Sequence, residues 1–314
     1  MTLASSASSV SSATSAASVA APARTTSGWL NGLIGVVIFS GSLPATRLAV
    51  LDLPPLWLTV ARASIAGLLA LAALLLFKEK RPARAQLASL AIVAMGVVLG
   101  FPLLTALALQ QVSAAHSIVW VALLPLCTAI CGVWRGGERL RPAFWAFSLL
   151  GAALVLGFAL WGAWQQGAAG SFVGDGLMLL AVAVCGLGYA EGAKLSRSLG
   201  GWQVISWALV LSLPVMLPLT LWLWPANLSA VHAPAWWGLA YVSLCSMWLG
   251  FVFWYRGLAQ GGIAAVGQLQ LLQPLLGFAL AAWLLGEAVS PAMLAVTVAV
   301  LACVVGAKRV AVSR

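Results

Sequence analysis

Ten long apolar segments dominate this sequence and restrict its possible folds more than any other feature. About 20 apolar residues in a helix cross the ~30 Å hydrocarbon core of a bilayer. The segments span residues 29–46, 56–77, 86–108, 112–134, 142–161, 174–195, 203–224, 235–257, 264–286 and 291–310. Pro, Gly or charged residues separate them. The sequence therefore predicts an all-α integral membrane protein with ten transmembrane helices.

The composition supports the bilayer as the main partner of this chain. Hydrophobic residues make up 63% of the chain and charged residues 7%, whereas soluble proteins are about 25% charged. The net charge of +10 is spread over short gaps between apolar segments, so we expect no nucleic-acid partner. The five cysteines lie singly inside apolar segments, and we expect neither a metal site nor a cofactor.

The positions of the basic residues predict the orientation. If the N-terminus is cytoplasmic, fourteen of the 16 Lys and Arg residues lie on the cytoplasmic side, as the positive-inside rule requires. We therefore expect a multi-pass protein of the cell (inner) membrane with both termini cytoplasmic. Residues 1–27 are Ser/Ala-rich and predict a disordered tail, and residues 311–314 form a short cytoplasmic C-terminal tail.

An internal repeat divides the chain into two halves. A shift of 149 residues superposes Pro125 on Pro274, Gly137-Glu138 on Gly286-Glu287, and Pro142 on Pro291. Each half holds five apolar segments, so the second copy enters the membrane from the opposite side. The sequence predicts two inverted five-helix repeats, at residues 28–161 and 174–310.

Two stretches carry a family resemblance. LLPLCTAICGVWRGGERLRPAFW and LLQPLLGFALAAWLLGEAVSPAM resemble the ends of the two repeats in EamA-type transporters of the drug/metabolite transporter (DMT) superfamily. The resemblance implies ten helices, a central substrate cavity, and export of metabolites, amino acids or drugs. The first copy departs from the family pattern because Arg135-Gly136-Gly137-Glu138 replaces the usual apolar-Gly-Glu ending.

Ionisable residues inside apolar segments are costly and therefore informative. Arg62 lies about two turns from one end of the second segment, where it can snorkel to the interface, form a structural contact, or contact an anionic substrate group. Glu191 and Lys194 can form a local ion pair, or Glu191 can be a carboxylate that couples transport to protons or cations. Glu138 and Glu287 end their helices, where we expect them at the interface and important for the repeat geometry.

Polar residues in the fourth and ninth segments predict a substrate site. In the fourth segment four residues from Ser113 to Trp120 share one helical face. The glutamines before Pro274 either line a site or form hydrogen bonds between helices. Tyr189 is a weaker candidate. The candidate substrate-binding residues are Arg62, Ser113, His116, Ser117, Trp120, Tyr189, Gln268, Gln270 and Gln273, and the candidate coupling residue is Glu191.

These features favour a secondary transporter for a small organic solute that exports it by alternating access between the two halves. No catalytic motif and no ATP-binding motif occur, so we expect no enzyme, and both gradient-driven and facilitated transport stay open. A flippase for a lipid-linked substrate and a non-transporting membrane receptor are the alternatives. The oligomeric state stays open, and a monomer is compatible with the pattern.

Overall fold

The computed structural model describes residues 26–112, 117, 120–165, 171–273, 275–277, 279–280 and 291–311 of the chain. All regular secondary structure in these residues is helical. By length and composition, six helices are able to cross a membrane: α1 (Thr26–Asp52), α2 (Pro55–Leu76), α3 (Arg84–Gln111), α6 (Phe172–Leu199), α7 (Gly201–Trp222) and α8 (Ala233–Gly261). The protein is thus a multi-pass helical membrane protein, as the apolar segments predict.

Four further helices correspond to the remaining apolar segments. They are α4 (Leu124–Gly136), α5 (Pro142–Gln165), α9 (Ile263–Gly277) and α10 (Pro291–Val310). The start of the fourth predicted segment and the end of the ninth fall partly outside the described residues. The count of ten membrane-spanning helices therefore stays a prediction.

Two of the long helices contain π-helical segments. They lie at Ala94–Gly100 in α3 and at Val242–Leu249 in α8. In α9 a 3-10 segment, Gln268–Leu272, comes just before Pro274, which itself lies outside the described residues. Such changes of helical pitch are common at functional positions.

Glycines bring α1 and α8 into backbone contact. A Cβ atom on Gly257 would lie 2.6 Å from the backbone nitrogen of Gly32, and one on Gly28 would lie 2.6 Å from that of Gly261. No larger residue fits at such distances. Small residues drive this kind of packing in membranes, because helices in lipid associate through van der Waals contact of closely approaching backbones.

The two ends of the helical bundle have separate sets of contacts. We call the end at which α1 begins the terminal face; there the Ser27 hydroxyl lies 3.4 Å from Gln260, and Gln203 donates to Glu79 at 3.2 Å. At the other end, the opposite face, the His232 amide donates to the Asp52 carboxylate at 2.8 Å. Bulky apolar residues cover the outside of the bundle, as expected where lipid is the solvent.

Candidate functional site

A central cavity lies in the half of the bundle nearer the opposite face. It holds about 550 Å³ of space between its lining atoms, counting the part that opens to the surroundings. Helices α1, α2, α3, α6, α8 and α9 contribute most of its walls. The lining residues are Phe39, Ser42, Leu43, Thr46, Arg62, Val97, Phe101, Pro102, Thr105, Leu124, Tyr189, Ser246, Phe251 and Gln273.

Arg62 supplies the positive charge of this cavity. Its side chain is only 7% exposed, and its Nη2 donates to the Ser246 hydroxyl at 3.4 Å. The Ser42 hydroxyl donates to the same Ser246 oxygen at 2.8 Å. Arg62 Nε has no hydrogen-bond partner among the described residues. The guanidinium therefore lies inside the protein, where it forms a structural contact with Ser246 and does not snorkel to the interface.

Aromatic rings form the floor of the cavity. The Phe39 and Phe251 ring centroids are 5.0 Å apart, and Tyr189 packs edge-on against Phe251 at 5.8 Å and against Trp254 at 5.5 Å. Sequence reasoning singled out Tyr189 but missed both phenylalanines, because a Phe in an apolar segment carries no polar signal. The floor offers ring faces and edges to an apolar group.

The three glutamines of α9 divide between the cavity and the packed core. Gln273 lines the cavity, and its Nε2 donates to the Phe39 carbonyl at 3.4 Å. Gln268 and Gln270 are fully buried and are not in the cavity wall. Thr128 of α4 donates to Gln270 Oε1 at 3.4 Å, whereas both amide atoms of Gln268 have no partner among the described residues.

The predicted polar face of the fourth segment is only partly described. Ser113 and His116 lie outside the described residues. Ser117 is fully buried, and its hydroxyl has no partner in the described part of the chain. Trp120 donates its indole N–H to Asp175 of α6 at 2.8 Å. Neither Ser117 nor Trp120 lines the cavity in this conformation.

Glu191 forms an ion pair that differs from the one predicted. Its carboxylate is fully buried and accepts hydrogen bonds from Arg135 Nε at 2.8 Å and from the Ser89 hydroxyl at 2.6 Å. Lys194 is exposed on another side of α6. The local ion pair suggested by the three-residue spacing is therefore not the contact formed, because Glu191 faces α3 and α4 while Lys194 faces outward.

Glu138 caps the start of α9. Its two carboxylate oxygens accept hydrogen bonds from the backbone N–H groups of Ile263 at 2.6 Å and Ala264 at 2.8 Å. Arg197 lies 3.7 Å from the same carboxylate. Gly137 turns the chain out of α4 with a φ of 66°, which glycine adopts without strain. The first N–H groups of a helix are unpaired within the helix, so an anionic cap stabilises this end.

These contacts form one polar group at the terminal face, which we call the terminal-face cluster. It consists of Ser89, Arg135, Glu138, Glu191, Arg197 and the first N–H groups of α9. Each of these contacts joins a residue of the first half, 28–161, to a residue of the second half, 174–310. Among the described residues, no three His, Cys, Asp or Glu side chains come together as a metal-binding set.

Comparison with known proteins identifies related chains. The model of the EamA-like transporter family matches twice, at residues 26–161 and 172–307. The uncharacterised transporter YdeK of Bacillus subtilis (strain 168) is 64% identical over 288 residues, covering 92% of this chain and 99% of that protein. A protein of known crystal structure superposes with a TM-score of 0.74 at 20% identity, covering 92% of this chain and 98% of that one. At this identity the superposition shows the fold alone.

Proposed function

The chain belongs to the EamA-like transporter family and is a membrane transporter, and from this premise we propose that it exports a small organic solute by alternating access. The observation that carries the proposal is the asymmetry of the bundle. A cavity with polar and aromatic walls lies toward the opposite face, while the terminal-face cluster joins the two halves at the other end. Such an asymmetry supports a secondary transporter in one of its two alternating conformations.

We further propose ten membrane-spanning helices in two inverted repeats, 28–161 and 174–310. The family model matches each half once. The π-helical segments also support the repeat, because a shift of 149 residues carries 94–100 onto 243–249, next to the observed Val242–Leu249. The packing of α1 on α8 has its counterpart in the packing of α6 on α3. This is expected of a repeat, because the 149-residue shift relates α1 to α6 and α3 to α8.

The transport cycle would exchange the two sets of contacts. Opening the terminal face requires the ion pair of Glu191 with Arg135 and the cap of Glu138 on α9 to separate. Protonation of Glu191 would weaken its ion pair, which gives this residue the coupling role that the sequence suggests. The positive charge near this face supports a cytoplasmic location for it, and both termini would then be cytoplasmic.

Gln268, Gln270 and Ser117 do not line the cavity, and their buried polar atoms support a role in the conformation that is open to the terminal face. Buried polar atoms without partners are unfavourable by about 1–3 kcal/mol each. Gln268, Gln270 and Ser117 all carry such atoms among the described residues. We propose that these side chains, with Ser113, His116 and Trp120 of the fourth segment, contact solute or water when the cavity opens to the other side.

A ligand screen tests the proposed function. A solute that binds only the folded protein raises its melting temperature, so the purified protein is screened against amino acids, amines, organic acids, nucleosides and drugs. Hits are then tested for counterflow in proteoliposomes. We expect at least one selective hit that is also transported. Binding by lipid-linked compounds alone would instead favour the flippase, and no transport of any compound by folded protein would contradict a transporter for soluble solutes.

A further inference from the structure

We infer that the solute is a small organic anion with an apolar body, and that Arg62 binds its anionic group. This inference rests on the proposed function and narrows it to one substrate class. It follows from the charge balance of the cavity, from the unused hydrogen-bonding groups in its walls, and from the aromatic floor beneath them.

The charge of Arg62 is not balanced by the protein around it. Among the described residues that line the cavity there is no Asp and no Glu. Within the described part of the chain, the hydrogen bond of the Arg62 head group goes to a neutral hydroxyl, that of Ser246, and it is long, at 3.4 Å. A buried cation is strongly unfavourable unless an anion or several hydrogen bonds compensate it. An anionic ligand in the cavity would supply that compensation.

The geometry suits a carboxylate or a similar planar oxyanion. A guanidinium presents its N–H groups as a fork that matches two oxygens of one anion, and Arg62 Nε lacks a partner within the described residues. The hydroxyl of Thr105, which is also unpartnered there, belongs to a residue that lines the same cavity. Together they offer an anion a cationic contact and a neutral donor.

The remaining walls favour an apolar body and disfavour a cation. Phe39, Tyr189 and Phe251 form ring contacts beneath the polar wall, so an aliphatic or aromatic group would be buried there. An ammonium group would lie near Arg62 without an acidic lining residue to pair with. We therefore expect monoanions to bind better than neutral or cationic compounds of the same shape.

Matched probes separate charge from shape. Propionate, 3-phenylpropionate and indole-3-propionate are each compared with the corresponding primary amide and with an amine of equal length, by thermal shift and by uptake into proteoliposomes. We expect a carboxylate to bind at least about tenfold more tightly than its amide, in line with hydrogen bonds to charged groups. The amines should not bind. This comparison uses the native protein and does not depend on any variant.

Variants then test the role of Arg62. Arg62→Gln should weaken carboxylate binding about 10- to 100-fold, whereas Arg62→Lys should retain part of it because the charge stays. Arg256→Gln, at an exposed arginine outside the cavity, is the matched control and should bind normally. Gel filtration and the melting temperature without ligand verify that each variant is folded.

The outcomes distinguish this inference from the proposed function. If an amide or an amine binds and is transported as well as its carboxylate, or if Arg62→Gln binds the carboxylate normally, the inference is wrong while the transporter proposal stands. If folded native protein binds and transports no probe and no compound of the wider screen, the proposed function fails, and this inference fails with it.

Discussion

The buried carboxylate of Glu191 is held by two hydrogen bonds from different helices, and its charge is paired with Arg135. Removing one member of a buried ion pair leaves the other without compensation. Arg135 is one-third exposed, so water screens part of that effect. At the scale of single residues, this pair is a direct ionic contact between α4 and α6.

Glu191→Gln should therefore loosen the terminal face. We expect it to lower the free energy of unfolding by about 1–2 kcal/mol and to reduce transport, since the closed terminal face is less populated. Melting temperature and proteoliposome uptake measure the two effects. Lys194→Gln, three residues away and exposed, should change stability by less than about 0.5 kcal/mol; equal effects at both positions would contradict the ion-pair role.

At the scale of elements, the start of α9 depends on a side chain from another part of the chain. The Glu138 carboxylate accepts from the first two N–H groups of α9, in the way that a cap within the helix would. Glu138→Ala should lower stability by about 0.5–2 kcal/mol, the usual value for losing a helix cap. Thermal unfolding checks this against Arg139→Ala, an exposed neighbour, and a similar loss in both variants would rule out the cap.

The crossing of α1 and α8 gives a second prediction at this scale. Gly257→Ala would put a Cβ atom 2.6 Å from the backbone nitrogen of Gly32, so the two helices would have to separate. We expect a loss of about 1–3 kcal/mol, typical of overpacking. Gly176→Ala in α6 is the control, because a Cβ there meets nothing within 4 Å. Unfolding midpoints that fall equally, or not at all, would show that the helices accommodate the added methyl group.

At the scale of the whole molecule, the two faces of the bundle should lie on opposite sides of the membrane. In a variant without native cysteines, Lys80→Cys tests the terminal face and Ala230→Cys the opposite face, both at exposed positions. We expect an impermeant maleimide added to intact cells to label only Ala230→Cys, and Lys80→Cys to react only after permeabilisation. Labelling of both from outside would contradict the proposed orientation.

Much of this architecture could be predicted without the structure. Segment length and apolar composition are local properties, and lipid requires each spanning segment to satisfy its own backbone hydrogen bonds. For this reason six predicted segments coincide with helices able to cross a membrane. The resemblance of the two quoted stretches to EamA-type transporters is confirmed, because the family model matches both halves.

Side-chain partners depended on the tertiary structure. Glu191 pairs with Arg135, 56 residues away, and Glu138 caps a helix that begins 125 residues later. Local spacing could suggest only Lys194. Likewise Trp120 contacts Asp175, whereas Phe39 and Phe251 line the cavity. Composition and periodicity determined that the chain enters a membrane as helices; which faces of those helices meet, and therefore where a cavity forms, was decided by the packing of residues distant in sequence.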